Sequence, residues 1–269
     1  MNKTTKSIPK KETPPSSLWH YTSFEALTKI LDPDKDGLVL RFHLSNPLQT
    51  NDKKEVHFFD NYVYTGKIGK ELKLKIDSMT KKIGMPFTLS FIQHKESKRS
   101  YPACEIPMWR MYGNQFKGVR LKFNYTKMSN YYKSQTIESL VKCNYQTVTE
   151  MKKKGQDIRN RFKQPDADFN LKDIYKAAVC YKTYDWEYEN EWRLIAWCND
   201  IKEIGFYPQS GKLYIPHEIP LDFLETIEIG PKADYEAYEA SLQLIKQKLG
   251  NSSDNHFTIK KSKLDIGYV

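Results

Sequence analysis

The segment Tyr188-Glu189-Asn190-Glu191-Trp192-Arg193-Leu194-Ile195 alternates charge with bulk, and that period constrains the chain more than any other stretch. Successive side chains of a strand point to opposite faces, so a period of two predicts a strand with Glu189, Glu191 and Arg193 on one side. Tyr188, Trp192 and Leu194 fall on the other. One face is left for chemistry and the other for packing. Neighbouring carboxylates repel unless a cation, a ligand or a proton separates them, and such pairs recur at sites that stabilise a cationic intermediate. The same alternation also fits a charged edge strand closed by an ordinary Glu-Arg pair.

Further β-type runs surround this one. Leu38 to Leu44, Phe87 to Ile92, Gly118 to Phe123, Ala178 to Tyr181, Lys212 to Ile215, Thr226 to Ile229 and His256 to Lys260 all read as strands. Thr22-Ser23-Phe24-Glu25 fits a capping box, and Phe24, Leu27, Ile30 and Leu31 follow at helical spacing until Asp32-Pro33 stops them. His20 and Tyr21 are thereby expected just ahead of a helix N-terminus, where free N–H groups suit an anionic or polar ligand. A lysine-rich helix is expected over 67–82, a short helical turn over Pro107 to Gly113, and an amphipathic helix from Tyr235 to Leu249. Residues 1–17 have little to bury and read as a disordered basic tail. Residues 18–269 then form a single α+β domain, with a mostly antiparallel central sheet, flanking helices and a helical insertion at about 124–173.

With 269 residues, 39% hydrophobic, the chain can build one large core. No run approaches the ~18 apolar residues of a membrane span, and no signal-peptide hydrophobic region is present, so a cytoplasmic protein without membrane contact is expected. Cys104, Cys143, Cys180 and Cys198 lie far apart in sequence, which speaks against a zinc site or a disulfide framework. The net charge of +10 favours anionic partners, but its lysines are widely scattered. Lys152, Lys153, Lys154, Arg159, Arg161 and Lys163 form the densest basic group, which fits either a solvated helix face or a nucleic-acid surface.

No serine-hydrolase elbow, phosphate-binding lysine loop, dinucleotide-binding glycine fingerprint or HExxH helix occurs, and the six histidines lack metal-ligand spacing. No metal is therefore expected. The remaining polar constellations are His20-Tyr21, Ser45-Asn46 with Asn51-Asp52, Ser90, Trp109-Arg110 with Tyr112, and the Glu189, Glu191, Arg193 array. Aromatic rings at Tyr21, Trp109 or Tyr112 suit stacking, and Arg110 suits a bidentate contact to a pyrophosphate or a carboxylate.

Together these segments, with Pro47, Leu89, Phe91, Pro107-Met108, Gly118-Val119 and Ile259 to Ser262, resemble the bacterial family called domain of unknown function 2971, in order from about residue 18 to 263. That resemblance supplies no activity. A histidine on or after the first strand, a serine on a middle strand and a late E-x-E are also similar to the layout of ADP-ribosyltransferases, among them bacterial toxins and phage-defence effectors. The likeness implies NAD as substrate, no metal, a macromolecular acceptor that nucleic acid would satisfy, and a neutralising partner protein. It puts His20 at the NAD ribose, Ser90 in the position of the S-T-S serine, Glu191 as catalytic glutamate and Glu189 as the first E-x-E carboxylate. Thr88-Leu89-Ser90 departs from S-T-S, and Trp109-Arg110 has no counterpart. Two other functions stay open: a non-catalytic nucleic-acid-binding or regulatory module, and a nuclease using Glu189, Glu191 and Asp52 with a divalent metal.

Overall fold

A computed structural model describes residues 14–32, 38–49, 59–94, 105–135, 138–164, 179–249 and 257–265. Its strands are β1 (Ser17–Thr22), β2 (Val39–Ser45), β3 (Met85–Ile92), β4 (Val119–Asn124), β5 (Glu138–Lys142) and β6 (Asn144–Gln146). There follow β7 (Tyr181–Thr183), β8 (Glu191–Cys198), β9 (Gly205–Phe206), β10 (Leu213–Pro220), β11 (Leu224–Ile229) and β12 (Thr258–Lys261). The α-helices are α1 (Phe24–Ile30), α2 (Gly66–Ile83), α3 (Glu105–Met111), α4 (Tyr125–Lys133), α5 (Val148–Phe162) and α6 (Tyr235–Lys248). This is the α+β class, with a mostly antiparallel sheet; β11 with β12 and β6 with β7 are parallel.

The large sheet runs β12-β11-β4-β1-β3-β2-β10-β9, with β8 beside β3 and β5 beside β8. One edge of β3 is paired with β8 along its whole length, from Met85↔Cys198 to Ile92↔Glu191. The other edge is divided: Ile92 meets Trp19 of β1, whereas Thr88 meets Ser45 of β2. Ser90 lies between these two bridges, so the sheet forks there. The alternation in β3 explains why the fork is stable. Phe87 and Phe91 are fully buried and Leu89 nearly so, packed with Leu18, Leu44, Phe123 and Leu194. Each such apolar side chain contributes roughly 1.5–3 kcal/mol by leaving water. Thr88, Ser90 and Ile92 turn to the opposite face, which is the face of the fork.

Several sequence expectations need local correction. The α1 N-cap is Ser23, whose hydroxyl accepts from Ala26 N at 3.1 Å, so the cap sits one residue later than the capping-box pattern implies. His20 and Tyr21 are on β1, just ahead of that cap. Residues 184–189 form a 3₁₀ turn, and Asn190 is left-handed at φ 44°, so the strand begins at Glu191 and excludes Glu189. The strand expected over Ala178 to Tyr181 instead begins at Tyr181, and Ala178 lies outside the described residues. The region expected as a helical insertion does contain α4 and α5, but β5 within it pairs with β8 in the main sheet. Its run Glu138-Ser139-Leu140-Val141-Lys142 is half-buried and short, a weak strand signal that tertiary pairing completes. Residues 1–13, Asn51, Asp52, Cys104 and His256 lie outside the described residues.

Candidate functional site

The fork opens into a cleft of about 280 Å³. Because cross-strand partners share a face, Ser90 beside Arg193 and Ile92 beside Glu191 form its floor. His20 and Tyr21 of β1 form one wall, and Ser45, Asn46, Gln49 and Leu213 form another. The second wall is held by Asn46 N donating to Leu213 O at 3.1 Å and Leu213 N donating to Gln49 Oε1 at 2.6 Å. Tyr112, Lys182, Trp186, Glu189 and Lys212 complete the lining.

The fork leaves the Ser90 carbonyl without a strand opposite it, and His20 Nδ1 takes that place at 2.9 Å. Donation from Nδ1 fixes the neutral tautomer, leaving Nε2 as an acceptor, with no partner among the described residues. Burial pushes the imidazole pKa down, outweighing the Ser90 carbonyl, so neutral histidine is the form at physiological pH. The ring is braced edge-on by Phe42 and Phe91 at 5.3 and 5.9 Å.

At the floor, four charged side chains share one buried cluster. Glu191 Oε1 accepts from Arg193 Nε at 2.8 Å, and Oε2 accepts from Arg193 Nη2 at 3.0 Å and Lys182 Nζ at 2.8 Å. Lys182 Nζ also donates to Glu189 Oε2, and the Tyr112 hydroxyl donates to Glu189 Oε1 at 2.9 Å. The two carboxylates respond in opposite directions. Burial alone raises Glu191, but Arg193 and then Lys182 outweigh it and hold the group at about 2. Burial dominates at Glu189 and leaves its pKa above the ordinary range despite Lys182. Burial, then the Glu189 carboxylate, likewise pushes the Tyr112 phenol up.

The structure therefore brings His20, Tyr21, Ser45, Asn46, Ser90, Tyr112, Glu189, Glu191 and Arg193 to one cleft. Trp109 and Arg110 are not part of its lining. Trp109 is fully buried behind Tyr21, with ring centroids 5.1 Å apart, and Arg110 is on the exposed side of α3. Position explains both: in a short helix whose inner side carries Met108 and Trp109, the next residue turns to solvent. The sequence reading missed Lys182, Trp186, Gln49 and Lys212. A signal for Lys182 exists, since two adjoining buried carboxylates require a cation, but Arg193 and Arg110 are the cations that the sequence pattern offers first.

A two-carboxylate metal site is disfavoured by geometry, because Lys182 Nζ occupies the position between Glu189 and Glu191. Among the described residues no group of three or more His, Cys, Asp or Glu side chains could hold a metal. The basic residues of α5 do not form one surface: Lys152 and Arg159 flank the buried Met151, Gly155, Ile158 stripe on one side, Lys154 and Arg161 on the other. Arg159 also donates to the Tyr62 carbonyl. Among the described residues no helix is long and apolar enough to cross a membrane.

Residues 108–194 match the model of a family described as Protein of unknown function (DUF2971), which bears out the family resemblance over that segment. No curated protein and no solved structure matches the chain. The matched segment runs from α3 into β8 and includes Tyr112, Lys182, Trp186, Glu189, Glu191 and Arg193. His20, Ser45, Asn46 and Ser90, which complete the cleft, precede it.

Proposed function

We propose that the cleft binds the nicotinamide-ribose end of NAD and breaks the bond between those two groups, as an ADP-ribosyltransferase-like enzyme or an NAD glycohydrolase does. One observation carries this reading: His20, Ser90 and Glu191, from three strands distant in sequence, line the same cleft at the fork of the sheet. When nicotinamide leaves, the electron pair of the glycosidic bond goes to its ring nitrogen and positive charge develops on the ribose. A fixed carboxylate stabilises that charge without reorganising at the moment of reaction. An ionised carboxylate offers about four acceptor positions. Arg193 and Lys182 use three on Glu191, leaving one on Oε1 for a ribose hydroxyl. His20 Nε2 accepts from another hydroxyl, and Trp186 offers a ring face to the nicotinamide. Glu189 receives the proton of the attacking group. Water as that group gives hydrolysis, whereas a macromolecular acceptor gives transfer.

Purified protein incubated with NAD, without added metal, is expected to release nicotinamide. Glu191→Gln should lower turnover by at least about 100-fold, the scale of one preorganised electrostatic group. Absence of release by the wild-type protein overturns the reading. A second reading, a non-catalytic regulatory module that binds a small polar ligand, is favoured by a different observation. With both carboxylates ionised, Lys182 and Arg193 already balance Glu189 and Glu191, which reduces the field available to a developing cation. Calorimetric binding of NAD with no nicotinamide produced would support that alternative.

A further inference from the structure

We infer that Lys182 is a positioning residue of the cleft, one that holds Glu189 as a carboxylate aimed into it and thereby sets the pH range over which the cleft functions. Glu191 does not need Lys182 in order to be fixed, because Arg193 already grips both of its oxygens. Glu189 does. It lies on the 3₁₀ turn, separated from β8 by the left-handed Asn190, so the sheet does not hold its carboxylate in place. Among the described residues its side chain is held by Lys182 through one oxygen and Tyr112 through the other. Lys182 in turn is placed by β7, where it pairs with Tyr145 of β6, and its ammonium lies 5.4 Å from the centre of the Trp186 ring. The Tyr145 hydroxyl accepts from Glu191 N at 2.8 Å, which ties the β6–β7 pair to the start of β8.

The charged and titratable groups facing Glu189 among the described residues are Lys182 of β7, Glu191 with Arg193 behind it on β8, and Tyr112 from the segment after α3. Tyr145 of β6 stands next to them. Removing the ammonium leaves Arg193, already committed to Glu191, as the cation hydrogen-bonded to the two adjoining carboxylates among the described residues, with Lys212 elsewhere in the lining. One proton must then bind, and it binds at Glu189, because Arg193 keeps Glu191 charged. A general base in that state accepts no proton from a nucleophile. A purely structural lysine would change stability without moving the ionisation of the cleft.

The inference rests on the NAD reading for its activity measurement only, and the test has two arms. The first compares the pH profile of nicotinamide release for wild type, Lys182→Met and Lys182→Arg. The acidic limb should move upward by about one pH unit or more in Lys182→Met, which is a tenfold loss at fixed pH on that limb, and Lys182→Arg should restore it. The second arm, which needs no substrate, follows the protonated-carboxyl infrared band against pH. Lys182→Met should show that band near neutrality, and the additional change Glu189→Gln should abolish it. If Lys182→Met does not fold, Lys182→Gln takes its place in both arms. Coincident profiles and infrared titrations in wild type and variant overturn the inference. A shifted infrared titration in a protein that never releases nicotinamide upholds it while removing the NAD reading.

Discussion

Two buried clusters in this molecule use the same chemistry to different ends. In one, Arg120 pairs with Glu105 at 3.1 Å and Glu228 at 2.7 Å, and the Tyr21 hydroxyl accepts from it at 3.0 Å. Trp19 covers the guanidinium at 4.2 Å, with Trp109 at 5.4 Å. Burial, then Arg120, holds His94 at about 3, so it stays neutral and accepts from the Tyr21 hydroxyl. In the other, Arg193 and Lys182 hold Glu189 and Glu191, but the cleft is open: Ser90 on its floor is exposed, and Tyr112 at its rim is 44% exposed. Ion pairing is thus not the mark of a site. What distinguishes the second cluster is a forked sheet that leaves polar side chains facing a space. Tyr21 belongs to both: it is among the residues lining the cleft, and its hydroxyl is on the closed cluster.

The largest effect is expected where the enclosure is complete. Arg120→Met leaves Glu105 and Glu228 buried without that cation, although Lys260 still reaches Glu228 at 3.2 Å. Breaking a buried pair by removing one partner costs about 3–5 kcal/mol. Urea denaturation should register a loss of that size. Ligand binding by the folded fraction should change little, because the substitution lies behind the wall formed by Tyr21. A loss below about 1 kcal/mol would mean that the closed cluster is wetter than its geometry indicates.

The second comparison is in pH. Glu191 has a folded pKa below the ordinary carboxylate value, so its stabilisation is complete above about pH 4.5 and is lost as pH falls toward about 2. At 1.36 kcal/mol per unit this is about 3 kcal/mol, set by its two cations. Glu189 has the opposite sign: its pKa is raised in the folded state, so its contribution favours folding at low pH and fades as pH climbs out of the carboxylate range. Denaturant melts from pH 2 to 5 should show stability rising with pH, with a smaller rise in Glu191→Gln. An unchanged slope in that variant would assign the acid limb to other carboxylates.

Much of this fold is legible in the sequence where a segment's own pattern decides the outcome. Phe87 to Ile92, Gly118 to Phe123 and Thr226 to Ile229 alternate apolar with polar or charged residues, and they form β3, β4 and β11. The site is legible in its polar residues and not in its architecture. Alternation places Glu189 on the strand, yet a single left-handed residue at Asn190 ends that strand, and Asn is among the few residue types that visit this conformation readily. Lys182 looks like any surface lysine until β6 and β7 pair and bury it. Cys143 and Cys180, distant in sequence, meet through that same pairing in a buried group with Val179 and Ile195. Trp109 offers a large ring to either a ligand or a core, and only the packing of α3 against Tyr21 selects the core.

The smallest effect is expected at the rim. Tyr112 leaves α3 just before Asn114, Gln115 and Phe116, three successive residues with positive φ. Left-handed residues other than glycine cost about 1–2 kcal/mol each, so other contacts must hold this turn. Phe116 N donates to Trp109 O at 3.1 Å and Gly118 N donates to Gly113 O at 2.8 Å. At Gly118 a side chain is excluded, since a Cβ would stand 2.3 Å from Thr22 O. Tyr112 is therefore aimed by the backbone and not by its own hydroxyl, and Tyr112→Phe should keep its ring in place. The lost hydrogen bond to Glu189 should cost about 1 kcal/mol, because the rim admits water to replace it. Without that donor Glu189 should also titrate slightly higher, in the same direction as Lys182→Met and by less. A Tyr112→Phe loss of 3 kcal/mol or more in urea melts would show the rim to be as closed as the Arg120 cluster, and the distinction between the two regions would fail.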